Sequence, residues 1–477
     1  MVIARPSHFV IAFVDAVDEA LKTHHPGQSL SALQRAWLAF CLTAILVTNS
    51  VCWARFERAS LGTYSLAALS WMFRHAKIPW ELLLVMSVRV LLRHYGITQG
   101  SLVVDDSDKP RAKSAKKIAY LHKLRDKESG GCILGQNLVF LLLVTATLTI
   151  PVGFAFYMPA PELTAWYKQE RRLKQLGIPR KRRPPKPPVH PLYPTKHELA
   201  LRLLAQCKAH YPDLHVQCVI ADAFYGSATF MEEASAIFGG VQVISQLRSN
   251  QKVRVYQREQ HVADYFATHP GTPQRIRIRG GDEMVAIVGS ARLYVVAHHT
   301  KRLVIALKYA DDETYHYLLA SDLSWRTLDI VHAYTLRWLV EVFVQDWKAH
   351  EGWGTLTKQP GEEGSRRSVI LSLLVDHCLF FHPAQHAQLI NHLPAYTVGS
   401  LRAQVQVECL VTVMQEVIAS VDPQTHLQRL SEALHEVFAL ERSQKHLGQR
   451  QLGRLASTPS LKYRVYEVMR TMPTLST

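Results

Sequence analysis

The sequence predicts an α/β protein: a mixed-sheet core interrupted by a strand-rich insertion, with helical regions before and after it. Three observations predict this. Apolar residues recur at three- and four-residue spacing through 33–47 and 81–92, the mark of amphipathic helices. At 101–107 the pattern switches to an apolar strand ending in acids, Leu-Val-Val-Asp-Asp-Ser. A second unit of strand, acid, turn and helix follows over 215–228, and 241–320 is rich in short strands.

With 477 residues, 48% of them hydrophobic, the chain can bury a sizeable core and divides into several domains. Lysine and arginine total 55 against 39 acids, a formal charge of +16. That balance favours an anionic partner, nucleic acid first and an anionic membrane surface second. The seven cysteines are odd in number, widely spaced and without a Cys-x-x-Cys pair, so neither a disulfide framework nor a zinc knuckle is expected. A reducing, cytoplasmic setting fits, and the first ten residues lack the features of a signal peptide. Residues 138–158 carry no charge over 21 positions, close to the ~20 that cross a bilayer as a helix. Pro151 and Gly153 interrupt that run and Gly135, Gln136 and Asn137 suggest a turn before it. Two buried strands joined by a turn are therefore expected, and no membrane span.

In chain order, 1–98 is a helical N-terminal region with a candidate DNA-binding helix-turn-helix. Its helices would run over 65–74 and from Trp80, with a break at 76–79 and Arg89 and Arg93 one turn apart. Two ordinary packed helices account for the same pattern. Residues 99–245 form the first part of the core, including a basic, proline-rich extended loop at 168–196 that is either a solvated linker or a contact to phosphates. Residues 246–325 form an inserted β-rich domain, with strands expected at 253–256, 275–279, 283–288, 291–297 and 302–309. Period-two alternation there puts Arg275, Arg277 and Arg279 on one face and Ile276 and Ile278 on the other, which suits a nucleic-acid backbone or a solvated edge. Residues 326–385 complete the core with a helix over 327–351, and 386–477 is a helical C-terminal region made basic by Arg442, Lys445, Arg450, Arg454, Lys462, Arg464 and Arg470.

The chemistry concentrates on the helix at 327–351. At 100° per residue, Tyr334, Arg337, Glu341 and Lys348 project from one arc of about 60°. Leu336, Leu339, Val340 and Phe343 lie opposite and can pack on a sheet. Asp222 ends one strand and the Asp105/Asp106 pair ends another. Strand alternation lets only one of that pair face a site shared with Glu341, and Asp105 is favoured, with Asp106 as the alternative. Three converging carboxylates are hard oxygen ligands for magnesium or manganese, and they point to phosphoryl transfer on DNA. The adjacent pairs His24/His25 and His298/His299 are accompanied by no His-x-x-x-His pattern, and neither a Gly-x-Ser-x-Gly elbow nor a Walker loop is present.

These residues resemble a family, the DDE transposases of bacterial insertion sequences, in the group marked by a tyrosine, arginine, glutamate, lysine signature. Tyr334, Arg337, Glu341 and Lys348 have that signature's spacing throughout. Ala221, Asp222, Tyr225 and Gly226 match the second-acid motif, and Asp105, Asp106 and Ser107 match a first-acid motif of the form Asp-x-Ser, which selects Asp105 with Asp106 as the alternative. The resemblance spans 102–348 and implies a ribonuclease-H-like catalytic core with a β-rich insertion before the glutamate-bearing helix. It further implies two divalent ions, Mg2+ or Mn2+, and cut-and-paste transposition by a homodimer that synapses double-stranded element ends and joins a 3′ hydroxyl to target DNA. Asp105, Asp222 and Glu341 would be the catalytic metal ligands, and Tyr334, Arg337 and Lys348 would contact phosphates near the cut. Trp338 would hold a flipped base, and Arg248 would track DNA. Two other outcomes are a non-cleaving DNA-binding descendant of a transposase and a two-metal nuclease without strand transfer.

Overall fold

The computed structural model describes residues 3, 5–111, 117–125, 130–188, 190–278, 283–310, 312–354 and 359–437. Five helices come first: α1 (His8–His24), α2 (Ala32–Thr48), α3 (Trp53–Ala59), α4 (Leu66–His75) and α5 (Trp80–His94). A capping box opens α2, with the Gln34 N–H donating to Ser31 Oγ at 3.2 Å and the Ser31 N–H donating to Gln34 Oε1 at 2.8 Å. Its apolar run from Trp37 to Val47 is buried. In the helix-turn-helix candidate, α5 buries Leu83, Leu84, Met86, Val88 and Leu91 against α1 and the later helix α12 (Gly361–Leu379). Arg89 on α5 donates to the carbonyl of His210. Both helices of the candidate thus pack one face into the core, while Arg93 stays exposed.

Next come β1 (Gln99–Pro110), β2 (His122–Arg125), β3 (Cys132–Val144) and β4 (Thr149–Tyr157). They are followed by α6 (Pro161–Gln175), α7 (Lys196–His210), β5 (His215–Ala221), α8 (Ala228–Ile237) and β6 (Gln242–Leu247). The strands β4, β3, β1, β5 and β6 lie side by side in that order. The first three are antiparallel neighbours, whereas β1, β5 and β6 run parallel. Parallel neighbours need crossovers, and α7 and α8 supply them. This is a mixed, ribonuclease-H-like sheet, and the uncharged stretch 138–158 is its β3–β4 hairpin. Pro151 sits in β4 opposite a register shift at Leu141/Leu142, where a strand tolerates a residue without an N–H. Among the described residues no single helix is long and apolar enough to cross a membrane.

The strand-rich segment continues with β7 (Lys252–Val255), β8 (Arg258–His261), α9 (Val262–Thr268), β9 (Thr272–Arg277), β10 (Glu283–Val295), β11 (Thr300–Tyr309) and β12 (His316–Ala320). It is joined edge to edge to the core, because β12 pairs antiparallel with β6 and β11, β10, β7 and β8 follow in order. Twelve strands among the described residues thus form one sheet. The two strands expected at 283–288 and 291–297 are a single strand, β10, since Gly289 and Ser290 stay hydrogen-bonded in register to Ala306 and Ile305. On β9, Arg275 and Arg277 are exposed and Ile276 is buried, as alternation requires. Arg279 and the basic residues from Arg442 to Arg470 lie outside the described residues.

The chain ends with α10 (Thr327–Thr335), α11 (Trp338–His350), α12, α13 (Pro383–Ile390), α14 (Val398–Ile418) and α15 (Pro423–Val437). The single helix expected over 327–351 is two. Three-residue hydrogen bonds, Arg337 N to Tyr334 O at 3.0 Å, Leu339 N to Leu336 O at 3.0 Å and Val340 N to Arg337 O at 3.1 Å, tighten the chain between α10 and α11. The loop 168–196 also differs from its expectation. Lys168, Arg171, Arg172 and Lys174 stand exposed on α6, and Arg183 folds back on Glu170 at 2.7 Å.

Two apolar layers sandwich the sheet. Val103, Phe140, Ile220 and Ile244 face α10, α11 and α12, and alternate residues Val104, Leu141, Val219 and Val243 face α7, α8 and α9. On the first face Trp347 of α11 is fully buried between Phe140, 5.1 Å away, and Trp353, 4.4 Å away between ring centres. Each such pair stabilises by about 0.5–1.5 kcal/mol beyond its burial. From the N-terminal region, the Asn49 side chain donates to Ala349 O at 2.6 Å and accepts from Gly352 N at 3.1 Å. The helix carrying Glu341 is thereby pinned at its far end.

Candidate functional site

β1 and β5 are parallel and in register, Val103 beside Ile220 and Val104 beside Ala221, so Asp105 and Asp222 come next at the same level. Alternation puts both on the face of Val103 and Ile220, the face covered by α10 and α11. Arg337, at the head of α11, reaches across it. Its Nη1 donates to Asp105 Oδ2 at 3.1 Å and its Nη2 to Glu341 Oε1 at 2.7 Å. Asp105, Asp222, Arg337 and Glu341 thus gather at the carboxyl ends of the parallel strands, with Tyr334 buried beside Arg337.

Asp106 belongs to the opposite face. Its Oδ2 accepts from Lys196 Nζ at 2.7 Å and from Asn137 Nδ2 at 2.8 Å, and Lys196 lies over the rings of Tyr157 and Phe224. Of the adjacent acids, then, Asp105 is the one that shares a face with Glu341.

The electrostatics follow from crowding acids in a half-buried place. Burial first, and the charge of Asp222 next among the raising causes, push the Asp105 carboxyl up to about 6, against the pull of the Asp106 N–H at 2.8 Å and of Arg337. Asp222 is raised as well, by burial first and then by Asp106, while the Phe224 N–H at 2.9 Å opposes. Burial works against the Arg337 cation, but Tyr334, Asp105 and Glu341 outweigh it and raise its pKa. Burial also pushes the Tyr334 phenol up.

The donor set suits a divalent cation in kind, because carboxylate oxygens are the hard ligands such an ion takes. As placed, no three His, Cys, Asp or Glu side chains among the described residues stand close enough to hold an ion together. Arg337 lies between two of the three acids.

The remaining signature residues differ in setting. Lys348 is half-buried in the last turn of α11, about 10 Å along the axis from Glu341. Trp338 is 47% exposed, so it is not a core residue. Arg248 is exposed just past the end of β6, whose Gln246 follows, in register, at the level of Asp222. Sequence reasoning missed Lys196 and Asn137, which hold Asp106. Lys109 and Arg111, legible in the sequence as a basic segment after the strand, continue the Asp105 face because β1 runs on to Pro110 rather than stopping at Ser107.

Gly226 shows how tightly the Asp222 turn is set. A Cβ there would stand 2.9 Å from both Gln246 O and Ser245 Oγ, and Ser245 Oγ itself donates to Asp222 O at 2.6 Å. Gly226→Ala is expected to destabilise the protein by about 1–3 kcal/mol, read by thermal melting. A melting temperature equal to wild type would show that the turn has slack.

A piggyBac transposase synaptic complex with hairpin DNA is similar to the chain with a TM-score of 0.41 and 10% identity, over 99% of this chain and 89% of that one. No curated protein matches the chain. The family model for the DDE superfamily endonucleases matches residues 28–292, a span that takes in Asp105, Asp106 and Asp222 and stops before Glu341. Since that match covers more than half of the 477 residues, the chain belongs to the DDE superfamily endonucleases.

Proposed function

We propose that the chain is a transposase that cuts double-stranded DNA at the ends of an insertion sequence and joins the freed 3′ hydroxyl to target DNA. Within the superfamily it would belong to the group with the tyrosine, arginine, glutamate, lysine signature, acting as a homodimer on two ends. The observation that carries this reading is Arg337 bonded to both Asp105 and Glu341, with Asp222 level with Asp105 at the carboxyl end of the neighbouring parallel strand.

Asp105, Asp222 and Glu341 would hold two divalent ions, magnesium or manganese. Such ions, when bound, activate the attacking oxygen and stabilise the leaving oxygen of a phosphodiester. Arg337 presents a planar guanidinium suited to a phosphate, and Lys348 a point charge further along the same helix. Trp338, 47% exposed, would stack on an unpaired base, and exposed Arg248 would touch the backbone.

The testing experiment is incubation with DNA carrying the sequences that flank the gene, uncut and precut, with magnesium or manganese. Joined strands support the transposase, hydrolysis alone supports a nuclease, and binding without cutting supports a non-cleaving descendant. A pH dependence is also expected. Asp105 gains its charge as pH rises through about 6, and a proton on it competes with a cation. Affinity for Mn2+, followed by electron paramagnetic resonance, should fall up to about tenfold per pH unit below that point. A flat affinity between pH 5 and pH 7 would count against Asp105 as a ligand.

A further inference from the structure

We propose that Lys109 and Arg111, together with Lys348, form a second phosphate-binding site that holds the DNA backbone about three nucleotides from the bond that is cut. The inference rests on the transposase reading and extends it to residues outside the signature.

Two tracks lead away from the acids and converge. Along β1, alternation keeps Asp105, Ser107, Lys109 and Arg111 on one side, and Arg111 N still bonds to Leu134 O at 2.7 Å, so the extended backbone persists past Pro110. Four strand residues carry the chain about 13 Å from Asp105 to Lys109. Along α11, seven residues carry it about 10 Å from Glu341 to Lys348. The ends of the two tracks meet around Trp353. Lys109 Nζ donates to Gly354 O at 2.6 Å, and Gly354 N donates to Lys348 O at 3.0 Å. Lys109 Nζ lies 5.8 Å from the centre of the Trp353 ring and the Arg111 guanidinium 5.3 Å.

The result is a cationic pole beside an acidic one. Burial, then the charges of Arg111 and Lys348, pull the Lys109 ammonium down to about 8, and burial pulls Arg111 down to about 10. Lys109 is buried and Arg111 and Lys348 are half-buried, and like charges gathered away from solvent are relieved by an anion. At a rise of about 3.4 Å per nucleotide, a strand with one phosphate at the acids would lay another, three or four nucleotides on, at these cations. Arg111 is braced for this by two bonds to Gln136 Oε1, at 3.0 Å and 2.9 Å, which fix its plane.

The test is the salt dependence of DNA binding by the full chain, measured by fluorescence anisotropy on a duplex carrying the gene's flanking sequence. Each phosphate contact contributes a slope of about −0.9 in log affinity against log salt. Arg111→Gln should flatten the slope by about 0.9 and Lys109→Gln with Arg111→Gln by about 1.8, while Lys109→Arg retains the wild-type slope. Phosphate ethylation should interfere with wild-type binding three or four nucleotides from the cut, and that interference should vanish in Arg111→Gln. An unchanged slope in a stably folded Arg111→Gln, or a Lys109→Arg slope flattened by about 0.9, would overturn the site while leaving the transposase reading intact. Failure of the wild type to bind DNA at all would overturn both.

Discussion

Asp105→Asn is expected to slow DNA cleavage by about 10³-fold or more, and Asp106→Asn to leave it within about tenfold of wild type. The contrast follows from strand geometry. The two carboxylates are adjacent in sequence, yet Asp105 turns towards Asp222 and Arg337, and Asp106 towards Lys196 and Asn137. Removing charge from Asp105 removes a hard ligand from the cluster and leaves Arg337 with Glu341 alone, a loss of several kcal/mol of transition-state stabilisation. Removing it from Asp106 leaves the Lys196 ammonium, 19% exposed, without its carboxylate. The expected cost is about 1–3 kcal/mol of stability, visible in melting rather than in chemistry. Equal loss of cleavage in both variants, with both folded, would show that the face assignment does not govern the reaction.

Glu341→Gln is expected to abolish cleavage to a similar degree while DNA binding holds within a fewfold, because Glu341 repels phosphate rather than attracting it. Glu351, ten residues further on, provides the internal control. It is completely buried, and burial together with Asp376 drives its carboxyl well above the usual range, which favours the neutral form. A glutamine there is a neutral group of the same shape. Glu351→Gln should therefore keep most of the cleavage activity, measured on the same duplex. If Glu341→Gln lost binding along with cleavage, Glu341 would be holding the fold rather than serving the reaction.

Much of the core was legible before its three-dimensional arrangement was seen. The strand ending at Asp222, the turn after it and the helix from Ala228 coincide with β5, a short turn and α8, because period-two apolarity, an acid and a glycine mark that unit unambiguously. The spacing that relates Tyr334, Arg337, Glu341 and Lys348 was also readable. The break after Tyr334 was not: Leu336 and Arg337 are good helix formers, and the tightening there depends on tertiary contacts, among them the reach of Arg337 to Asp105. The length of β10 was hidden by Gly289, which reads as a strand end. It packs against Gly271, 3.1 Å from where its Cβ would stand, so a close backbone approach rather than a turn calls for glycine there. The partners of Asp106 could not be found from sequence, since Lys196 lies 90 residues away and only the sheet brings it near.

The central claim is that Asp105, Asp222 and Glu341 act together as ligands of a catalytic cation. Its most direct test is to replace Asp105 and Asp222, one at a time, by cysteine and to measure DNA cleavage in magnesium and in manganese. A thiolate is a poor partner for the harder ion and a better one for the softer. Each variant should be inactive in magnesium and regain measurable cleavage in manganese. Cleavage retained in magnesium, or lost alike in both ions, would contradict the claim.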